Sequence, residues 1–419
     1  MDLGRYDKNV GRPTLRVGSL RMRRWMIGTL WLAVAGAAWA AGVDTNAMNY
    51  DPQVRAAFKE FYNLDYTGAV ELLERYHAEH PGDPQATAYL VDALVFQELY
   101  HEDLLDTTFY ANDGFLTGRH ATEEDPKKRD QIFALADEAV HEADWRLSQN
   151  PNDVNALFAR AWVRSLRCTY VAMVERAYGA GFRLATKARD DAARVLELDP
   201  NYVDAKLITG VYEYVVGALP WPFKLMIGFA GITGSKATGL EMLRDAGSRG
   251  VLTSLDARTA IALFLRREGK YDQAIEVVLQ LKSEYPHDFL FCLEEANLRK
   301  DAGEGMRAVD VYRQIQADNA KPGYFAEARM ELADFGLGDA QRGQRHYDDA
   351  AEAYEQAART PGAGLELKIR SLLDAGECRD LGGQRQLALR DYEAAIDAGP
   401  TTSSADQARR YLRAPYTGN

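Results

Sequence analysis

The sequence repeats itself at intervals of about 34 residues, and this period restricts the fold more than any other feature. Small residues mark equivalent places in four successive units, at Ala274, Ala308, Ala350 and Ala388. A larger residue follows four positions later in each unit, on the same face of a helix. These larger residues are Val278, Tyr312, Tyr354 and Tyr392. The pattern predicts helices that cross closely at the small residues.

A second set of small residues lies twelve positions before those alanines, at Ala262, Ala296, Gly338 and Gly376. Each unit is therefore predicted to hold two helices. Pro286, Pro361 and Pro400 close three of the units, because proline lacks the amide proton that a helix needs. Breaks at this spacing disfavour one long coiled coil. We predict an all-α fold: a right-handed superhelical solenoid of about eight helix-turn-helix repeats with insertions in the middle repeats.

Paired helices with small residues at these places resemble the tetratricopeptide-repeat (TPR) family over most of residues 50–412. The resemblance implies a stack of helix pairs that binds proteins or peptides. We predict two parts: residues 41–252 carry long insertions, and residues 253–419 hold regular repeats and a capping helix. Together with the leader described next, the resemblance favours the exported type found in bacterial envelopes.

The N-terminus has the features of an export leader. Arginines within residues 21–24 precede an uncharged apolar stretch at residues 26–37, and an Ala-x-Ala cleavage signature ends at Ala40. The apolar stretch is short for a membrane span, although a membrane anchor is the alternative interpretation. We predict that residues 1–40 are an N-terminal extension plus a signal peptide, and that the cleaved protein is periplasmic or secreted.

Acidic side chains dominate the rest of the chain. Without residues 1–40 the sequence holds 43 basic and 60 acidic side chains, a formal net charge of −17. A surface of this sign repels phosphate groups, so we predict no nucleic-acid partner. Three widely separated cysteines, Cys168, Cys292 and Cys378, fit either one disulfide or three small buried apolar residues.

Three successive middle units are longer than the period. Their surpluses over 34 residues are 36, 15 and 16 residues, and each falls between the first and second helix of its unit. The inserted stretches are residues 103–125, 168–183 and 215–239. Equivalent turns of a stacked array lie along one edge, so we expect the insertions to meet there and form a binding surface.

The third insertion is the most distinctive, because residues 215–232 are mostly apolar and contain Pro-Trp-Pro. Three interpretations stay open: extra core, the lining of a ligand or peptide pocket, or contact with a membrane interface. The candidate binding residues in and beside it are Tyr212, Tyr214, Trp221, Phe223, Lys224, Phe229 and Lys236.

Residues 212–243 also resemble a second group, the eukaryotic TPR family linked to inclusion-body clearance. The matching residues are Tyr214, Gly217, Leu219, Pro220, Lys224, Leu225, Gly228, Phe229, Gly231, Gly239, Leu240 and Leu243. This resemblance implies a shared architecture only.

The first helices of a TPR array line its inner face, so residues there are candidates for contact with a peptide. These candidates are Arg266, Arg267, Asn297 and Lys300. Asn297 and Lys300 have the residue types of a carboxylate clamp, but their positions fit such a clamp poorly.

The sequence lacks catalytic and metal-binding patterns such as His-Glu-x-x-His and Gly-x-Ser-x-Gly. Adjacent acids such as Glu294 and Glu295 are expected on a solvated helix face. We predict a non-enzymatic envelope protein, without cofactor or metal, that scaffolds protein–protein interactions. The alternative is a periplasmic small-molecule or lipid-binding accessory component of a transport system. It would use the three insertions, an apolar small ligand and peripheral contact with the membrane.

Overall fold

Seventeen α-helices form the array in the computed structural model, which describes residues 44–110, 125–219 and 233–418. Their bounds are α1 Pro52–Tyr62, α2 Tyr66–Glu79, α3 Pro84–His101, α4 Pro126–Gln149, α5 Val154–Met173, α6 Tyr178–Leu198, α7 Ala205–Ala218, α8 Lys236–Arg249, α9 Ser254–Arg267, α10 Tyr271–Glu284, α11 Phe289–Asp301, α12 Gly305–Asn319, α13 Met330–Gly343, α14 Tyr347–Arg359, α15 Leu365–Leu381, α16 Arg385–Ala398 and α17 Ser403–Arg413. Within these ranges there is no β-strand. The predicted leader, residues 1–40, lies outside the described residues.

The helices pack in sequence as eight pairs, from α1 with α2 to α15 with α16, and α17 covers the last pair. This order confirms the predicted all-α repeat array. None of the helices in the described ranges is both long enough and apolar enough to cross a membrane.

Aspartates begin many of these helices. Asp51, Asp83 and Asp125 each precede a proline at the first helical position, and each carboxylate accepts a hydrogen bond from the amide two residues on. Asp288 caps α11 by accepting from the amide of Phe291 at 2.9 Å. Such an acceptor satisfies an amide that has no partner inside the helix, and the fixed φ of proline suits the first turn.

The small residues of the repeat lie between crossing helices, as the pattern predicts. The four alanines that define the repeat are completely buried: Ala274, Ala308, Ala350 and Ala388. A methyl group added at Gly338 would lie 2.6 Å from Tyr354 Cδ1, and one at Gly376 would lie 2.5 Å from Tyr392 Cε1. Carbon atoms do not approach this closely without strain, so glycine permits these two crossings.

The structure describes only the second of the three surpluses completely. The first, between α3 and α4, and the third, between α7 and α8, include residues outside the described ranges. The second is helical, because it lengthens α5 and α6 and leaves only residues 174–177 between them. Residues 168–183 are therefore helix ends rather than an inserted loop. Residues 111–124 and 220–232 lie outside the described ranges, so the predicted meeting of insertions at one edge stays a prediction.

The array closes on itself, so that its first helices pack against later repeats. The ring centroid of Tyr62, at the end of α1, lies 5.6 Å from that of Tyr285. Arg329, before α13, donates to the carbonyl oxygens of Tyr100 and His101 at 3.1 and 2.8 Å. Helix α3 is almost wholly buried, as expected of a helix that is apolar on all sides. One hydrophobic core therefore joins α1–α7 to α11–α13, while α8, α9 and α10 contribute to a second core.

The described residues from Asp44 to Gly418 form one compact unit. This unit spans residue 252, where the sequence analysis divides the array, and that division stays a prediction about the regularity of the repeats.

The three cysteines are free. Cys292 and Cys378 are buried, and Cys168 is half-buried. Burial raises the pKa of the Cys292 and Cys378 thiols to about 12. Because the thiolate is the reactive form, these residues serve as small apolar core residues.

Candidate binding cavity

Residues 105–107, which follow α3, cover the inner face that the sequence predicts as a peptide groove. Arg266 is central to this contact. Its guanidinium donates to Thr107 Oγ1 at 2.5 Å and to Glu294 Oε2 at 3.2 Å. It also donates twice to Asp301 Oδ2, at 2.8 and 2.6 Å. Arg266 is only 2% exposed, so it cannot meet a foreign peptide while this segment is in place.

The other predicted groove residues are also engaged within the chain. The Asn297 amide donates to Asp106 Oδ1 at 3.3 Å and accepts from the Tyr312 hydroxyl at 2.6 Å. Lys300 Nζ lies 2.8 Å from Asp339 Oδ2. Arg267 is half-buried on the last turn of α9. Asn297 and Lys300 therefore hold neighbouring helices and the covering segment together.

The C-terminal tail covers a second stretch of the inner face. The amide of Tyr416 donates to Asp380 Oδ2 at 2.8 Å, and Arg342 donates to the Tyr416 hydroxyl at 3.1 Å. The guanidinium carbon of Arg342 lies 5.5 Å from the centre of the Tyr416 ring. Two segments of the chain thus occupy places where a peptide was expected.

Tyr214 and Lys236, at the two ends of the third insertion, join α7, α8 and α9. The Tyr214 ring stacks on Phe264 with 3.7 Å between centroids and 9° between planes. Its hydroxyl donates to Glu268 Oε1 at 3.0 Å, and Lys236 Nζ lies 2.6 Å from the same oxygen. These contacts hold neighbouring helices together.

Tyr212 is buried on the neighbouring face of α7. The guanidinium carbon of Arg189 lies 4.9 Å from its ring centre, and the Phe182 ring lies 6.4 Å away. The remaining candidates of the third insertion lie outside the described residues: Trp221, Phe223, Lys224 and Phe229.

A cavity of about 120 Å³ lies where the array closes on itself. Side chains of α1, α2 and α3 face side chains of α9, α10 and α11 across it. Its aromatic lining consists of Phe61, Tyr62, Tyr66, Phe96 and Phe291. Residues 105–107 form one wall, and the exposed Thr259 of α9 lies at the rim. The cavity is thus mostly apolar and open to solvent beside α9.

Besides Asp106, three carboxyl groups line the cavity. Asp256 accepts from the Tyr62 hydroxyl at 3.2 Å, Asp288 caps α11, and Glu294 accepts from Thr107. Burial raises the pKa of all three to about 7, because a carboxylate loses its hydration there. For Glu294 the nearby Arg266 charge opposes that rise without cancelling it.

The expectation that Glu294 and Glu295 lie on a solvated face is wrong. They are 7% and 5% exposed. Residues 105–107 cover Glu294, while Glu295 pairs with Lys282 and Arg299 at 2.8 and 2.9 Å. Helical periodicity could not reveal this, because the covering residues lie almost two hundred positions earlier in the chain.

Sequence reasoning therefore missed the cavity and its acids. The lining residues run from Phe61 to Asn297 and share no local pattern. The available signal was the all-round apolar character of α3, which indicates a helix with neighbours on every side. Among the described residues, no group of three or more His, Cys, Asp or Glu side chains is placed to hold a metal ion.

Comparison with known proteins gives solved structures of low similarity. No protein-family model matches the sequence, and no curated protein sequence matches it. A tetratricopeptide repeat protein from Parabacteroides merdae is 16% identical, with a TM-score of 0.33, covering 82% of this chain and 99% of that one. Yeast Tom70 is 13% identical, with a TM-score of 0.35, covering 86% and 88%. The human IFIT1 dimer with m7Gppp-AAAA is 12% identical, with a TM-score of 0.41, covering 89% and 84%.

The assignment to a TPR-type array rests on the helix pairs of this chain and on the small residues between them. It does not depend on those comparisons.

Proposed function

We propose that this chain is a non-enzymatic binding protein of the bacterial cell envelope whose ligand is a small molecule held in the central cavity. The observation that carries the proposal is the cavity of about 120 Å³ at the point of closure. Apolar pockets with a few convergent polar groups are the usual sites of small ligands. Recognition of a peptide in the inner groove has less support, because two segments of the chain already lie there.

The size of the cavity sets the size of the ligand. An engineered apolar cavity of about 150 Å³ binds benzene. A volume of about 120 Å³ therefore suits about five non-hydrogen atoms, and a longer ligand would extend through the opening beside α9. A whole lipid does not fit, which favours the small-molecule form of the transport-accessory function over the lipid form.

The envelope location is supported by the leader at residues 1–40. Expression of the full chain with a C-terminal tag, followed by cell fractionation and mass spectrometry, tests it. We expect a periplasmic protein that begins at Ala41. A cytoplasmic protein that retains residues 1–40 would contradict this part of the proposal. The acidic surface supports a function without nucleic acid.

Native mass spectrometry and thermal-shift screening of the purified protein test the cavity. Thr259→Trp places a large ring at the exposed rim, so we expect it to abolish stabilisation by any cavity ligand. Met306→Trp is the matched control, because Met306 is 58% exposed on α12 and does not line the cavity. If Thr259→Trp and the control bind every hit equally well, the cavity is not the binding site.

A protein partner is the second candidate function, and Trp145 favours it. This side chain is 63% exposed on α4, more than any other large apolar side chain in the described residues. Tryptophan is enriched among the residues that dominate protein interfaces. A cross-linked pull-down from envelope extract should recover a partner whose binding saturates. We expect the Trp145→Ala variant to recover no such partner and the Met306→Ala variant to recover it as the wild type does. Equal recovery with both variants would exclude this surface.

A further inference from the structure

We infer that the central cavity selects a small organic cation, an ammonium compound no larger than choline. This inference rests on the proposed function, because it names the chemical class of ligand for the same cavity. Three independent features carry it: the charge of the lining, one unsatisfied carboxylate oxygen, and the aromatic walls.

In the described part of the chain, the lining holds more acidic side chains than basic partners. The acids that line the cavity are Asp106, Asp256, Asp288 and Glu294. Arg266 is the basic side chain that contacts them, and it also donates twice to Asp301 outside the cavity lining. Among the described residues, no lysine or arginine pairs with Asp256 or Asp288. A cationic ligand would supply the missing positive charge.

Glu294 carries an oxygen that needs a donor. Its Oε2 accepts from Thr107 and Arg266, but its buried Oε1 has no hydrogen-bond partner among the residues that the structure describes. A buried acceptor without a donor costs about 1–3 kcal/mol. An ammonium group in the cavity would offset this cost, because it brings both positive charge and polarised hydrogen atoms to the carboxylate.

The walls suit a cation with an apolar surface. Five aromatic rings line the cavity, from Phe61, Tyr62, Tyr66, Phe96 and Phe291. The face of an aromatic ring attracts a cation, and this attraction is strongest where water is excluded. A metal ion would find few oxygen ligands here, and an anion would be repelled by the acids. A neutral apolar compound would leave Glu294 Oε1 unsatisfied.

The test compares a cation with its uncharged carbon isostere. Choline and 3,3-dimethylbutanol have the same shape, so only the charge differs. Isothermal titration of the full mature chain should show choline binding about tenfold tighter or more. Tetramethylammonium should bind as well, because it keeps the charge and removes the hydroxyl.

Variants then locate the site. Glu294→Gln keeps the shape of the side chain and removes its charge, so choline should bind about tenfold more weakly and 3,3-dimethylbutanol unchanged. Glu276→Gln makes the same change at an exposed position of α10 and should leave both affinities unchanged. If Glu294→Gln does not fold, Asp256→Asn replaces it, and the comparison of ligands on the wild-type chain needs no variant.

Each outcome decides a different statement. Equal affinity for choline and 3,3-dimethylbutanol would overturn the inference about charge and leave the small-molecule function standing. Binding of neither compound, nor of tetramethylammonium, would overturn the inference, and the thermal-shift screen with Thr259→Trp would then decide the small-molecule function on its own. Choline binding that Glu294→Gln and Asp256→Asn leave unchanged would place the cation elsewhere and also overturn the inference.

Discussion

Two stretches of the inner face are covered by segments of the chain itself, yet their buried charges are balanced differently. On α13 and α15, under the C-terminal tail, Arg342 pairs with Asp374 at 3.2 Å and with Glu377 at 2.5 Å. Under residues 105–107, Asp256 of α9 and Asp288 before α11 have no such cation among the residues that the structure describes. Each stretch thus holds an arginine that pairs with two acids, and the stretch under residues 105–107 adds two acids that this arginine does not pair with.

The two covers also differ in bulk. The tail contributes one half-buried ring, Tyr416, which lies against Arg342. At α9 and α11 the cover includes the ends of α1 and α3, whose rings meet α11 across a cavity. The tail is a short segment that lies directly against Arg342, whereas the ends of α1 and α3 leave a space between themselves and α11. Acids without a paired cation beside such a space support the proposed binding function.

The largest expected change in the free energy of unfolding comes from removing a buried arginine. Arg266→Ala leaves Glu294 and Asp301 without their partner, so we expect the free energy of unfolding to fall by about 3–5 kcal/mol. The equivalent change under the tail, Arg342→Ala, should cost about 1–2 kcal/mol, because the Arg342 side chain is 26% exposed and water replaces part of the contact. Urea denaturation measures both. Equal losses would show that the two stretches are alike.

A smaller loss of unfolding free energy is expected from a substitution at a glycine that permits a helix crossing under the tail. Gly376→Ala places a methyl group 2.5 Å from Tyr392 Cε1 and should cost about 1–3 kcal/mol. Gly343→Ala is the matched control, because its added methyl group would meet nothing within 4 Å. That variant should be neutral or slightly stabilising, since alanine favours helix. Thermal unfolding of the two variants side by side distinguishes these outcomes.

The buried acids of the cavity should give the stability an unusual pH dependence. The pKa of Glu294 is raised to about 7 in the folded chain, so the folded state binds more protons than the unfolded state between about pH 4 and pH 7. The stability that this group contributes is therefore greatest in acid and decreases as the pH rises to 7. Glu294→Gln should gain about 2–3 kcal/mol relative to wild type between pH 5 and pH 8.

Asp245, on α8 outside the cavity, is the control for this pH series. Hydrogen bonds from Arg249 lower its pKa to about 2, so its contribution is present at neutral pH and lost only below about pH 4. Asp245→Asn should therefore differ from wild type by a constant amount between pH 5 and pH 8. A Glu294→Gln variant that behaves in the same way would show that the cavity acid is not perturbed.

The smallest change in stability is expected from a substitution in the C-terminal tail. Tyr416→Phe removes the hydroxyl that accepts from Arg342 and keeps the ring, so stability should fall by about 0.5–1 kcal/mol. Hydrogen exchange of the Tyr416 amide, which donates to Asp380, reports on the tail directly. We expect faster exchange there and unchanged exchange in α9 and α11. Faster exchange throughout would mean that the two covers are coupled.

Local pattern was sufficient to predict the helix pairs, because alanine or glycine at a crossing and proline at a helix end act within one repeat. Ala274 and Gly376 are examples. The cavity depends on contacts between residues far apart in sequence, such as Tyr62 with Asp256. No periodicity encodes these contacts. For the same reason Arg266 was predicted as a groove residue from its helix position, while its cover, Thr107, lies in an insertion without a recognisable pattern.

A crystal structure of the mature chain under xenon pressure tests the central claim most directly, because xenon enters apolar cavities. The account predicts a xenon atom among the rings of Phe61, Phe96 and Phe291, with Thr107 hydrogen-bonded to a buried Arg266. An open groove with Arg266 in solvent, and no xenon between α1 and α11, would contradict it.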